Sequence, residues 1–176
     1  TGKPKGVQIA HRNTIALLKW ASREFAETPF SMIYAASSQC FDLSIFEMLF
    51  PLYVGKTIRL LKASVDIPQY IFSDKDVMIN TVPSVVRALV DIGMDWRNVT
   101  ALNMAGEPVP ARVIQDLSSH KIEIRNLYGP TEDTTYSTVY KINGASTFVI
   151  PIGKPIDNTH VYILDNYLKL DRKRFV

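Results

Sequence analysis

Apolar positions fall into short β-type runs that alternate with longer helical stretches. VQIA (7–10) reads as a short strand. Asn13 or Thr14 is placed to cap a helix reaching about Ala26, with Ile15, Leu18, Ala21 and Phe25 on one face and Pro29 beyond its end. MIYAAS (32–37) is β-like, and the apolar run from Leu43 to Val54 reads as a buried helix stopped at Gly55, with Pro51 expected to kink it or end it early. TIRLL (57–61) is a strand, and the weakly patterned stretch 63–75 reads as loop. VMINTV (77–82), VTALNMA (99–105) and IEIRNLY (122–128) are strands, separated by helices over Pro83–Ile92 and Ala111–Leu117. Pro110 suits the first turn of the second of these helices. Two further strands are expected near 137–142 and 160–164. Repeated strand–helix–strand order predicts an α/β fold, a largely parallel sheet flanked by helices on both faces. In such sheets ligands bind at the carboxyl ends of the strands.

The chain's 176 residues, 47% of them apolar, suffice for one domain with a real core. No run approaches the roughly 20 apolar residues that a membrane span needs. Twenty basic residues against 17 acidic give a net charge of only +3, with Lys and Arg scattered, which argues against a nucleic-acid partner. A single Cys40 excludes an internal disulfide, and the separated His11, His120 and His160 form no metal cluster. This is the composition of a soluble, cytoplasmic domain. The sequence opens inside a glycine loop and closes abruptly on DRKRFV, as expected of an excised piece.

Three motifs carry candidate chemistry. TGKPKG (1–6) suits a phosphate loop: its glycines let backbone N–H groups approach phosphate oxygens, and Lys5 adds positive charge. It is not a Walker loop, because Gly6 follows the lysine, and it precedes a strand rather than following one; an ordinary surface turn is the alternative. NLYGPTEDTT (126–135) ends a buried strand in the Gly129-Pro130 turn and then presents Thr131 and Glu132 side by side. A hydroxyl and a carboxylate there suit a phosphate oxygen and a magnesium ion, and Tyr128 could stack on a purine. The alternative is a turn with a capping threonine and a solvated glutamate. FDLSIFE (41–47) sets Asp42 among Phe41, Leu43, Ile45 and Phe46, where a carboxylate needs a donor or cation. It either caps the following helix or pairs with a substrate ammonium group.

The order TGKPKG, HRN, FDLSIFE with PLYVG, VPS, MAGEPV, NLYGPTE, PIGKPIDN resembles the adenylate-forming, AMP-binding enzyme superfamily, and within it the adenylation domains of nonribosomal peptide synthetases. The resemblance runs from residue 1 to about 168. The FDxS form, with Asp42 and Ser44, favours the amino-acid-activating branch over acyl-CoA synthetases and luciferases.

The resemblance implies a flavodoxin-like core part of the adenylation domain's N-terminal region, spanning 1–176 and including the amino-acid pocket. It implies formation of an aminoacyl-adenylate from ATP with Mg2+, release of pyrophosphate, and transfer of the acyl group to a peptidyl carrier protein alongside the remaining synthetase subdomains. By motif match, Thr1, Gly2, Lys5 and Gly6 belong to the phosphate loop. Gly106, Glu107, Asn126, Tyr128 and Gly129 belong to the nucleotide site, Thr131 contacts phosphate, and Glu132 binds magnesium. Asp42 pairs with the substrate's α-ammonium, and Leu43, Phe46, Asn80, Asn103, Ala105, Leu127, Thr135 and Tyr136 complete the amino-acid pocket. Phe46, Leu127 and Tyr136 are bulky and no charge besides Asp42 awaits a side chain, so a small uncharged substrate is expected, alanine first. Core packing is the alternative role for the same residues. The stretch from Lys62 to Asp76 is shorter than the family pattern. The ribose-binding aspartate and the lysine-bearing C-terminal subdomain are missing, so this piece alone is expected to bind better than it reacts. A non-catalytic binding module and an acyl-CoA synthetase fragment are the competing readings.

Overall fold

The computed structural model describes residues 6–144 and 149–170. Thr1, Gly2 and Lys5 of the glycine loop lie outside them. Seven strands form one sheet: β1 (Met32–Ala35), β2 (Thr57–Leu60), β3 (Val77–Thr81), β4 (Val99–Met104), β5 (Glu123–Tyr128), β6 (Thr138–Ile142) and β7 (Lys154–Pro155), in the order β2-β1-β3-β4-β5-β6-β7. The first five in that order pair in parallel. No α-helix links Tyr128 to Thr138 to carry a crossover, and β6 accordingly returns antiparallel, followed by β7. Gly153 leads into β7 so close to β6 that a Cβ would lie 1.9 Å from the Val139 carbonyl oxygen.

Period-2 alternation divides the core between two helical layers. Ile33, Met78, Ala101 and Leu127 face α1 (His11–Glu24) and α2 (Leu43–Tyr53). Tyr34, Ile79, Leu102, Met104 and Ile124 face α3 (Ile67–Tyr70), α4 (Pro83–Asp91) and α5 (Ala111–Leu117). The first layer is bound by aromatics: Phe46 stacks on Phe50 at 4.9 Å, and Phe25 lies 5.4 Å from Phe50. Each such ring contributes about 1.5–3 kcal/mol by leaving water. The predicted doubly covered sheet is thus the observed one.

Several local expectations are corrected. Residues 7–10 are exposed and form no strand. Asn13 is not the residue before α1 but lies within its first turn, where its Oδ1 accepts from the Ala10 N–H at 3.0 Å and its own N–H donates to the Ala10 carbonyl at 2.9 Å. Pro51 neither ends nor shortens α2: the helix runs on to Tyr53, and the Val54 and Lys56 N–H groups close on the Phe50 and Pro51 carbonyls at 3.1 and 2.8 Å. The stretch 63–75 holds a 3-10 turn at Ser64–Asp66 and the four-residue α3, which bury Ile67 and Ile71 in the core. At 160–164 the described residues form only a Leu164–Leu170 bridge, the edge strand being β7 instead.

Candidate active site

A cavity of about 460 Å3 opens where the parallel strands end. Its wall is built from Ala36–Ser38 after β1, Thr81 and Val82 at the end of β3, Ala105–Glu107 after β4, and Gly129 after β5, closed by Phe41, Asp42 and Leu43 at the start of α2 and by Thr135. A neighbouring cavity of about 330 Å3 shares Gly106, Glu107 and Gly129 and adds Asn126, Leu127, Tyr128, Ile150 and Ile152. The two form one crevice at the position expected of a ligand site in a parallel sheet.

Asp42 occupies the N-cap position of α2, yet its carboxylate makes no capping bond. Among the described residues it has no hydrogen-bond or ion-pair partner, and it lines the larger cavity. Only its backbone carbonyl is engaged, accepting from Thr135 Oγ1 at 3.2 Å. Capping therefore does not account for this carboxylate.

Of the remaining amino-acid-pocket positions, Leu43, Ala105 and Thr135 also line the larger cavity. Leu127 lines the smaller one, while Phe46, Asn80, Asn103 and Tyr136 line neither and are buried in the same region. Asn80 and Asn103 are register partners on β3 and β4. The Tyr136 ring lies 5.3 Å from Phe46, edge-on, and its hydroxyl donates to Asn80 Oδ1 at 2.6 Å. Burial pushes the Tyr136 phenol well above its ordinary pKa. Asn103 Oδ1 is buried with no hydrogen-bond partner among the described residues.

Of the nucleotide-site positions, Gly106, Glu107, Asn126, Tyr128 and Gly129 all line the smaller cavity. The Glu107 carboxylate turns toward α4, accepting from the Ser84 N–H and hydroxyl, each at 2.9 Å, so it holds the start of that helix. Asn126 donates to the Pro151 carbonyl at 2.8 Å, and Tyr128 is half exposed at the end of β5. Gly129 lies where the following loop folds back, so a Cβ would sit 2.6 Å from the Thr135 carbonyl oxygen and 2.7 Å from Ser137 N. That loop is a 3-10 turn, Thr131–Asp133, presenting Thr131 and Glu132 to solvent. Asp133 is held by the Ser137 hydroxyl at 2.6 Å. Thr134 and Thr135 then take φ of 59° and 73°, a left-handed pair that sends Tyr136 into the interior. Gly6 is exposed and distant in sequence from these elements.

Sequence reasoning passed over Glu47, a buried carboxyl close to the site. It is fully buried, its Oε2 accepting from the Ser37 N–H at 2.9 Å and its Oε1 from Ser37 Oγ at 2.5 Å and Asn80 Nδ2 at 3.3 Å. Burial raises its pKa, against the lowering effect of those hydrogen bonds. The available signal was an acidic residue on the apolar face of α2, beside Phe46 and Phe50.

The sequence model of the family described as AMP-binding enzyme matches residues 1–172. The chain belongs to the AMP-binding enzyme family. It is 40% identical over 171 residues to AMB antimetabolite synthetase AmbB of Pseudomonas aeruginosa, covering 95% of this chain and 14% of that protein. It is 32% identical over 174 residues to a dimodular nonribosomal peptide synthase of Bacillus subtilis, covering 96% of this chain and 7% of that protein. The chain therefore spans a small part of the length of these relatives. The nonribosomal peptide synthetase FmoA3 superposes with a TM-score of 0.86 at 27% identity, over 97% of this chain and 20% of that one. A four-domain nonribosomal peptide synthetase bound to AMP and glycine superposes at 0.84 and 27% identity, over 97% of this chain and 13% of that one. Within the AMP-binding family the segment is thus of the adenylation-domain type found in nonribosomal peptide synthetases.

Proposed function

We propose that this segment is the substrate-selecting core of an enzyme that activates a small uncharged amino acid, alanine first, as its aminoacyl-adenylate. The observation that carries the reading is the Asp42 carboxylate, unpaired among the described residues and facing the cavity at the strands' carboxyl ends. A substrate α-ammonium supplies the charge-assisted partner that such a group lacks. The substrate carboxylate then attacks the α-phosphorus of ATP; one P–O bond forms, the bond to the β-phosphate bridging oxygen breaks, and pyrophosphate leaves. The substrate is its own nucleophile, so the protein contributes position and charge neutralisation rather than a general base.

The smaller cavity, between Asn126–Gly129 and Gly106–Glu107, suits the adenine, with the half-exposed Tyr128 ring available for stacking. An AMPPNP-bound form of FmoA3, with a TM-score of 0.86 over 97% of this chain, supports nucleotide use. Thr131 offers a hydroxyl to phosphate. No group of three or more His, Cys, Asp or Glu among the described residues could hold a metal alone. One exposed carboxylate at Glu132 nevertheless fits Mg2+, which takes one or two carboxylates and completes its shell with water and phosphate oxygens. When bound there, the ion would neutralise charge on the phosphates. Thr1, Gly2, Lys5 and Gly6 are assigned to the same phosphates by motif alone.

Phe46, Leu127 and Tyr136 pack in one buried apolar cluster beside the crevice, and the nearby carboxyls Glu47 and Glu107 are already engaged, by Ser37 and Asn80 and by Ser84. This supports a small substrate without a charged side chain. Transfer to a carrier-protein thiol belongs to the rest of the synthetase. The test is amino-acid-dependent ATP–pyrophosphate exchange by the full-length protein across all proteinogenic amino acids; alanine should support the fastest exchange. Exchange that responds to a fatty or aryl acid instead sinks the reading in favour of an acyl-CoA synthetase.

A further inference from the structure

We propose that Glu47 is a positioning residue for amino-acid selection: by orienting the Asn80 amide it fixes the Tyr136 hydroxyl, and with it the packed layer behind the cavity. This role rests on the amino-acid pocket described above. Four residues form one chain of hydrogen bonds running from the half-buried Ser37 at the cavity wall to the buried Glu47, Asn80 and Tyr136. Ser37 lines the cavity and donates to Glu47 through both its N–H (2.9 Å) and its hydroxyl (2.5 Å). Glu47 Oε1 receives Asn80 Nδ2 at 3.3 Å, and Asn80 Oδ1 receives the Tyr136 hydroxyl at 2.6 Å.

The direction of this chain is imposed by Glu47. Two N–H donors, from the Ser37 backbone and the Asn80 amide, point at its two oxygens, and a carboxyl group accepts at both. The Asn80 NH2 must therefore face Glu47, which leaves its oxygen for Tyr136. A glutamine has one oxygen and one NH2. Placed at 47, it sets donor against donor at Ser37 or at Asn80, and the relief available at Asn80 is to turn its amide over. The turned amide offers N–H to Tyr136, whose own hydroxyl proton then loses its buried acceptor, an arrangement the interior disfavours. Tyr136 lies between Phe46 and Trp20, edge-on to rings at 5.3 and 6.4 Å, and the hydroxyl bond is its polar tether. Thr135, one residue earlier, lines the cavity, so movement of Tyr136 reaches the pocket directly.

The experiment is ATP–pyrophosphate exchange by the full-length protein, comparing kcat/KM for alanine with that for 2-aminobutyrate, one methylene larger. Glu47→Gln should lower the alanine preference by about tenfold, through the amino-acid KM, with the KM for ATP unchanged. Loss of folding alone would depress both amino acids equally and leave the ratio where it was. An unchanged ratio in a folded Glu47→Gln protein overturns the role. Should that variant not fold, Tyr136→Phe, which removes only the tethered hydroxyl, must show the same shift in ratio, and an unchanged ratio there overturns it equally. A wild-type protein that exchanges with no amino acid defeats the pocket assignment itself. Wild-type exchange with an unmoved ratio in the variants defeats only the role of Glu47.

Discussion

Thr135 Oγ1 donates to the carbonyl oxygen of Asp42 at 3.2 Å, binding the loop after β5 to the first turn of α2. These residues are far apart in sequence and meet at the crevice. The bond fixes the backbone from which the Asp42 carboxylate projects, without consuming that carboxylate. Thr135→Val removes the donor and keeps the shape. Losing one such bond costs about 1 kcal/mol, so the KM for the amino acid should rise about fivefold. The KM for ATP should stay constant in the same exchange assay.

Thr134 makes a different prediction because it holds a left-handed φ of 59° with a β-branched side chain. Glycine adopts that conformation without steric cost. Thr134→Gly should raise unfolding free energy by about 1 kcal/mol, the strain released exceeding the added freedom of the unfolded chain. Urea denaturation reads the change.

Gly129 is constrained by crowding, not by φ. An alanine Cβ would meet three backbone atoms of 135–137 at 2.6 to 2.7 Å. Those atoms carry the turn that seats Tyr136, so they cannot move independently of the pocket. Gly129→Ala should cost about 2–3 kcal/mol in stability and lower exchange activity. Urea denaturation and the exchange assay read the two effects.

The far end of the sheet supplies a pH dependence. Asp74 is buried and accepts from Arg59 at 2.5 and 2.6 Å and from the Tyr34 hydroxyl at 2.7 Å. Burial alone would raise its pKa, but the bonds from Arg59 and Tyr34 outweigh burial and hold it below the ordinary aspartate value. A carboxyl with a depressed folded pKa stabilises the protein fully above its unfolded pKa of about 3.9, and this stabilisation is lost as pH falls through the folded value. Thermal unfolding should therefore show stability declining below about pH 4. Asp74→Asn should flatten that decline while lowering stability near neutral pH by about 2–3 kcal/mol.

Much of this arrangement was legible in the sequence because strongly patterned segments carry their own evidence. The runs at 77–82 and 99–105 are largely apolar on both faces, as buried parallel strands are, and they became β3 and β4, while 122–128 mixes apolar residues with Glu123, Arg125 and Asn126 and became β5. Residues 63–75 were not legible: α3 is four residues long, too short for a periodic signal, and its burial depends on Ile67 and Ile71 meeting the distant β3 and α4 layer. VQIA has a strand's composition but found no partner strand among the described residues. The edge strand moved from 160–164 to Lys154–Pro155 because Gly153 permits an approach to β6 that no local pattern announces. Around the crevice, the motifs picked out Asp42 and Tyr128, which line it, but not the hydrogen bonds that join Asn80 and Tyr136 to Glu47 and Ser37. Those four residues come from four separate elements, and only folding brings their donors and acceptors into register.

The central claim is that Asp42 receives the ammonium group of an amino acid, and replacing that carboxylate tests it most directly. In ATP–pyrophosphate exchange by the full-length protein, alanine should be active and propionate, which lacks the ammonium group, inactive. Asp42→Ala should lower alanine-dependent kcat/KM at least about a hundredfold, as expected when a charge-assisted partner is lost. Full alanine-dependent exchange in Asp42→Ala would contradict the account.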